Sequence, residues 1–243
     1  MQTTARHIMV RVVAVLALLA GGPAAALSGA PPFWRVQPDL DVFPQNNAIA
    51  QDADGIVYVG NADGVMEYDG ERWRLIPTDN GDLVRSLAVG PDGRVWVGGY
   101  DSFGWLERDA AGQAHYRALD ARFDADLQGR GYADIWQVLV MPEGVYFRAV
   151  RDLFFIAHDG SRALHWHHAG RFGVIASWQG RVIIQFRGVG FKERVEDRFE
   201  TIAGTEGLTG MVFGVNTMAD DSLLTRGSDG AWRRIAPDGT VTP

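Results

Sequence analysis

The sequence predicts an all-β fold: a β-propeller of four-stranded antiparallel blades, with about five blades present and the propeller incomplete. Three observations carry that expectation. Asp-Gly and other glycine-bearing turns recur between short β-rich runs. Gly takes positive φ at no steric cost and Asp bonds its own following backbone, so such pairs between apolar runs signal hairpins. The turns return at intervals of roughly 40 residues, the length of one propeller blade. The composition also suits a sheet-rich chain with tight turns, with 30 Gly, 8 Trp and 11% aromatic residues among 243.

Residues 49–68, IAQDADGIVYVGNADGVMEY, set the pattern. A run around Ile49 meets the turn Asp52-Ala53-Asp54-Gly55, Ile56-Val57-Tyr58-Val59 returns, and Gly60 ends the second strand. Asp63-Gly64 turns again, residues 65–68 lead to Asp69-Gly70, and Arg72-Trp73-Arg74-Leu75-Ile76 supplies a fourth strand. One such unit cannot bury its own apolar faces. The next segment repeats the scheme, with Gly90-Pro91-Asp92-Gly93 as the turn and Arg94-Val95-Trp96-Val97-Gly98 matching I-V-Y-V-G.

These two stretches, IAQDADGIVYVGNADGV and LAVGPDGRVWVGGYDSFGWL, resemble the two-component-regulator propeller repeat. That motif is an apolar strand, a D-x-x-G turn, then [IV]-[WY]-V-G and a Gly-led strand; the later units here are degenerate. The resemblance implies the extracytoplasmic sensor region of a bacterial hybrid histidine kinase, diguanylate cyclase or related regulator. Such propellers usually close with more blades and are followed by a β-sandwich, a membrane helix and a cytoplasmic output domain. The chain therefore reads as a truncated receptor.

Taken in order, residues 1–26 read as a secretory signal. Arg6, His7 and Arg11 precede an apolar run at 12–20, and Gly21-Gly22-Pro23 breaks it before Ala24-Ala25-Ala26. That apolar run is far shorter than the ~20 residues that span a bilayer, and no later stretch qualifies, so export to the periplasm without a membrane span is expected. Residues 27–45 form an extended lead-in rich in proline, with Phe33-Trp34-Arg35-Val36 as a short strand able to latch the ring. The propeller follows at 46–243, with blades at about 46–80, 81–131, 132–169, 170–207 and 208–243. Residues 120–132 read as a longer loop between blades.

The net charge of −7, with basic residues scattered, leaves no electrostatic footprint for nucleic acid. Cysteine is absent, which excludes disulfides, thiolate metal sites and a lipid-modified cysteine. His165-Trp166-His167-His168 is the densest cluster of potential ligands, and strand alternation puts His165 and His167 on one face. No acid shares that strand, and packed neutral histidines explain it as well, so no metal site is assigned. Asp101-Ser102 and His115 lack the strained turn that exposes a catalytic serine. Glu193, Glu196 and Asp197 among Lys192, Arg194 and Arg198 read as a solvated loop.

Tyr58, Trp96 and Trp136 are expected to pack between blades. Tyr100, Phe103 and Trp105, read as loop aromatics, are the expected ligand contacts, because propeller ligands approach the channel from the loop ends. The resulting expectation is a periplasmic sensor of a small molecule or carbohydrate, with no catalytic residue and no cofactor. Its partner would be an envelope protein or a missing downstream signalling domain. An envelope interaction scaffold is the alternative. Propeller lyases that resemble these repeats use a His and a Glu with a divalent cation, and no such pair can be matched here.

Overall fold

The computed structural model describes residues 35–79, 81 and 83–243. The chain divides into the units Met1–Pro38 and Asp39–Pro243. In the first, only residues 35–38 are described and they form no strand, so Arg35 and Val36 are not part of the expected latch. The expected signal at 1–26, and residues 27–34 of the lead-in, lie outside the described residues.

The second unit is a series of five antiparallel meanders, each of four strands in chain order. Blade 1 holds β1 (Asn46–Gln51), β2 (Val57–Asn61), β3 (Gly64–Tyr68) and β4 (Trp73–Ile76). Blade 2 holds β5 (Val84–Val89), β6 (Val95–Gly99), β7 (Phe103–Arg108) and β8 (Ala114–Ala118). Blade 3 holds β9 (Gln137–Met141), β10 (Gly144–Arg148), β11 (Asp152–Ala157) and β12 (Ala163–His167). Blade 4 holds β13 (Phe172–Trp178), β14 (Arg181–Phe186), β15 (Gly190–Val195) and β16 (Arg198–Thr201). Blade 5 holds β17 (Val212–Thr217), β18 (Leu223–Gly227), β19 (Trp232–Ile235) and β20 (Val241–Thr242). The fold is a β-propeller.

The turn chemistry is local. Gly55, Gly93 and Gly180 sit at φ +86°, +78° and +72°, which L side chains rarely adopt. Asp52 Oδ1 accepts from the backbone N–H groups of Asp54 at 3.1 Å and Ile56 at 2.9 Å, fixing the first hairpin. A four-stranded meander places its first-to-second and third-to-fourth connections at one rim. The second-to-third connections and the passages between blades lie at the other, here termed the mouth rim.

Blades join through apolar seams, because each sheet alternates its side chains between two neighbours. Tyr58, Val65 and Ile76 meet Val84, Val95 and Val97 between blades 1 and 2. Trp96 and Phe103 meet Phe147, Phe154 and Ile156 between blades 2 and 3. Tyr146 and Phe155 meet Ile175 and Ile184 next, and Trp178 and Phe191 meet Val212 and Leu223 last. Polar staples run beside these seams. Asn47 Nδ2 donates to Val84 O at 3.0 Å, Ser86 Oγ to Ile135 O at 2.6 Å, and Gln185 Nε2 to Leu208 O at 2.8 Å. Among the described residues, no buried apolar cluster joins the fifth blade to the first.

The glycine that closes V-[YW]-V-G now has a reason. A Cβ on Gly60 would lie 2.8 Å from Val84 Cγ1, and one on Gly98 would lie 2.4 Å from Ile135 Cγ2 and 2.5 Å from Ser86 Oγ. The start of the next blade, Val84 in β5 and Ile135 just ahead of β9, approaches through the space that the missing side chain leaves. Gly98→Ala should therefore destabilise by about 1–3 kcal/mol through overpacking. Gly214→Ala, where nothing lies within 4 Å, should change stability by less than about 0.5 kcal/mol. Urea unfolding of both variants checks this.

Two expectations need correction. Residues 120–132 are not simply a loop: a 3-10 turn (Asp120–Phe123) runs into α1 (Asp124–Leu127), and Phe123 and Leu127 are buried in the seam between blades 2 and 3. Tyr58 and Trp96 are buried as expected, but Trp136 is 44% exposed. It precedes β9 at the mouth rim and lies outside the inter-blade packing.

Candidate functional site

Tyr100, Phe103 and Trp105 do not converge. Tyr100 is 46% exposed in the β6–β7 connection, where it bridges to Asp134. Phe103 is no loop residue: it begins β7 with 0% exposure and stacks on Phe147 at 4.4 Å between ring centroids. Trp105, two residues on and therefore on the same face, packs edge-on to Trp96 at 5.6 Å, with the Arg94 guanidinium 4.9 Å from its ring. It borders a separate recess of 300 Å³ toward the opposite rim.

The histidine cluster is a hydrogen-bond hub built around an acid on the neighbouring strand. β11 pairs with β12 so that Asp152 lies opposite His167. Asp152 is buried, and its Oδ1 meets His165 Nε2 at 2.8 Å, His167 Nδ1 at 3.0 Å and Arg130 Nη2 at 2.8 Å. Its Oδ2 accepts from Arg130 Nη1 at 2.9 Å. Burial alone would raise this carboxyl's pKa; the bonds from His165, Arg130 and His167 outweigh it and hold the group well below the usual carboxylate range. Among the described residues, no group of three acids, histidines or cysteines is placed to hold a metal ion.

The mouth rim carries the stronger candidate. A recess of 420 Å³ opens where the starts of β9, β13 and β17 meet the ends of β10 and β14. Trp136, Phe172, Met211 and Phe213 form its apolar walls, and Arg148, Arg171 and Arg187 line it with no carboxylate among the lining residues. The ion pairs of the described residues include none of these three arginines. Arg171 and Arg187 are held side by side, since the backbone N–H of Arg187 donates to Arg171 O at 2.9 Å.

Arg148 is the anchor. Its Nη2 donates to Gln137 Oε1 at 2.9 Å, while its Nε is buried without a partner. Burial pushes the guanidinium down to about 10, still fully charged at neutral pH. Gln137 in turn accepts from the backbone N–H of Ile175 at 3.0 Å, so one amide both staples blades 3 and 4 and aims the arginine.

The sequence carried a signal for this site. Val145-Tyr146-Phe147-Arg148 aligns with Val57-Tyr58-Val59-Gly60, so Arg148 stands where the first two blades have the seam-closing glycine. A guanidinium there cannot let the next blade close down as Val84 and Ile135 do. The recess lies at this seam, beside that guanidinium.

A larger space of 840 Å³ lies along β4 and β8. Each of its basic residues already has an acid: Arg74 pairs with Glu67 at 3.0 Å, His115 with Asp109 at 3.0 Å and Arg117 with Glu107 at 2.7 Å. The smaller recess is the better candidate because its arginines have no such partners.

No protein-family model matches the sequence, and no curated protein matches it. Solved structures do resemble the fold. Virginiamycin B lyase from Staphylococcus aureus superposes with TM-score 0.60 at 16% identity, covering 84% of this chain and 71% of the lyase. The extracellular domain of the hybrid two-component system BT4673 from B. thetaiotaomicron gives 0.57 at 14% identity, covering 81% of this chain and 27% of that one. The WD40 propeller domain of Doa1 gives 0.57 at 14%, covering 81% and 67%. At these identities the likeness establishes the propeller and nothing about its chemistry.

Proposed function

We propose that the chain is an extracytoplasmic sensor propeller that binds a small molecule at its mouth rim and passes that event to a protein partner or a further signalling domain. The observation that carries this is the recess itself, three arginines with no carboxylate among the lining residues, beside aromatic walls, in a chain of net charge −7. Its volume falls within the ~300–1,000 Å³ usual for small-molecule sites. The D-x-x-G, V-[YW]-V-G repeat and the likeness to an extracellular domain of a two-component system support the sensor reading. Periplasmic placement belongs to the same proposal, as does a binding rather than a catalytic role.

A ligand binding only the native state stabilises it by about 2.7 kcal/mol at a hundredfold excess over Kd. For a domain of this size that raises Tm by roughly 5–10 °C. Thermal unfolding against neutral and acidic mono- and disaccharides should find such a shift, and a flat response across the panel would count against the sensor. The scaffold reading has its own observation, the exposure of Phe213 at 62% and Trp232 at 53% on blade 5. One dominant cross-linked protein partner, with no stabilising small molecule, would favour it.

A further inference from the structure

The chemistry of the mouth narrows what it takes. A guanidinium is a planar fork of donors that matches a carboxylate, sulfate or phosphate bidentately. Arg148 lines the recess, its guanidinium steadied by Gln137 and facing no carboxylate among the lining residues, so its charge is open to an anionic ligand. Arg171 and Arg187 add two more forks at the rim of the same recess. No acid competes for them there, unlike Arg85, which Asp134 already holds at 3.0 Å.

The walls say what carries the anion. Trp136 and Phe213 are large rings exposed at the mouth, and Arg85 covers one face of Trp136 with its guanidinium 4.8 Å from the ring. An inorganic ion would leave these surfaces unused. A saccharide-sized ring lies flat on such rings through its C–H faces while an acidic substituent reaches inward.

The geometry points to an acidic sugar as the ligand: a monosaccharide or disaccharide bearing a carboxylate or sulfate, its anion on Arg148, Arg171 and Arg187 and its ring against Trp136 and Phe213. This rests on the ligand-sensing reading above and names the class of ligand. Neutral sugars of the same size bind weakly, because they bring no negative charge to the three arginines. Binding falls as salt rises, since the two rim arginines are screened.

Isothermal titration of the whole chain tests it with glucuronate, galacturonate and galactose 6-sulfate beside glucose, galactose and inorganic sulfate. The expected result is at least tenfold tighter binding of one acidic sugar than of its neutral counterpart. Arg171→Gln and Arg187→Gln should each weaken it fivefold or more while leaving the unfolding midpoint unchanged, because neither side chain holds a hydrogen-bond or ion-pair partner among the described residues. Equal binding of acidic and neutral sugars, or variants that bind like the parent, would overturn the acidic class while leaving the sensor standing. Inorganic sulfate binding as tightly as the sugars would overturn the role of the aromatic walls. Silence from every sugar, acidic and neutral alike, would overturn both readings.

Discussion

Phe103→Ala lowers stability by about 3–5 kcal/mol, the cost of deleting a fully buried aromatic side chain and leaving its cavity. The ring touches Phe147 at 4.4 Å, Phe154 at 4.9 Å, Tyr132 at 5.7 Å and Phe123 at 5.8 Å. Those four come from blade 3 and from the passage containing α1, so one truncation loosens a seam and the segment that covers it. Tm should fall by roughly 10 °C. A sugar that binds the parent should keep its affinity below the new midpoint, because Phe103 does not line the arginine recess. Were Phe103 a ligand contact, the pattern would reverse, with stability kept and affinity lost. Thermal unfolding and titration on the same sample separate the two.

Asp152→Ala is the second large effect, an expected loss of about 3 kcal/mol from a buried carboxylate whose donors are left without an acceptor. His165 bears most of it. It is nearly buried, stacked on Phe154 at 4.8 Å, and has no water to turn to. Arg130 and His167 are about half exposed and recover hydration. The sign with pH follows from the depressed carboxyl pKa. Such a group stabilises fully above the unfolded carboxylate pKa of about 4, and that contribution is lost as pH falls through this value and below. The parent should therefore exceed the variant by the full difference near pH 6, and the gap should narrow below about pH 4. A gap constant down to pH 2.5 would show that the carboxylate charge is not what matters.

Much of the architecture was readable because it rests on local chemistry. Gly55 and Gly93 announce turns through a backbone conformation that other residues avoid, and the alternation in V-Y-V-G states which residues face a neighbouring sheet. The segment around α1 was less legible. Within the 3-10 turn and α1 themselves the buried residues are Phe123 and Leu127, two residues a turn apart, too few to set a period against the acids around them. Phe103 was misread because Gly98-Gly99 and Asp101-Ser102 suggest a loop that carries on past it, whereas β7 begins at that ring. Trp136 was misread in the opposite sense, since a tryptophan next to a strand is usually packed and this one stands before it.

The site was the least legible part, for a physical reason. Its defining feature is a departure from the repeat, and degenerate copies read as loss of signal. Arg148 in place of glycine matters through what the neighbouring blades leave open around it, which no single strand discloses. Gln137 shows the same limit: its side chain matters because of Ile175 on the next blade.

Having two rims of opposite character bears on how such a molecule can diversify. The tight turns fix the spacing of the strands they join, so change there is penalised by the whole framework. The passage at 202–211 is pinned by the buried Thr205 and Leu208 but exposes Gly207, Thr209 and Gly210 between its anchors, and lengthening a surface connection costs little, about 0.6 kcal/mol per doubling. Selectivity can therefore drift by insertion along one border of the molecule while the opposite border keeps the scaffold constant, a division of labour that lets relatives share a framework and differ in taste.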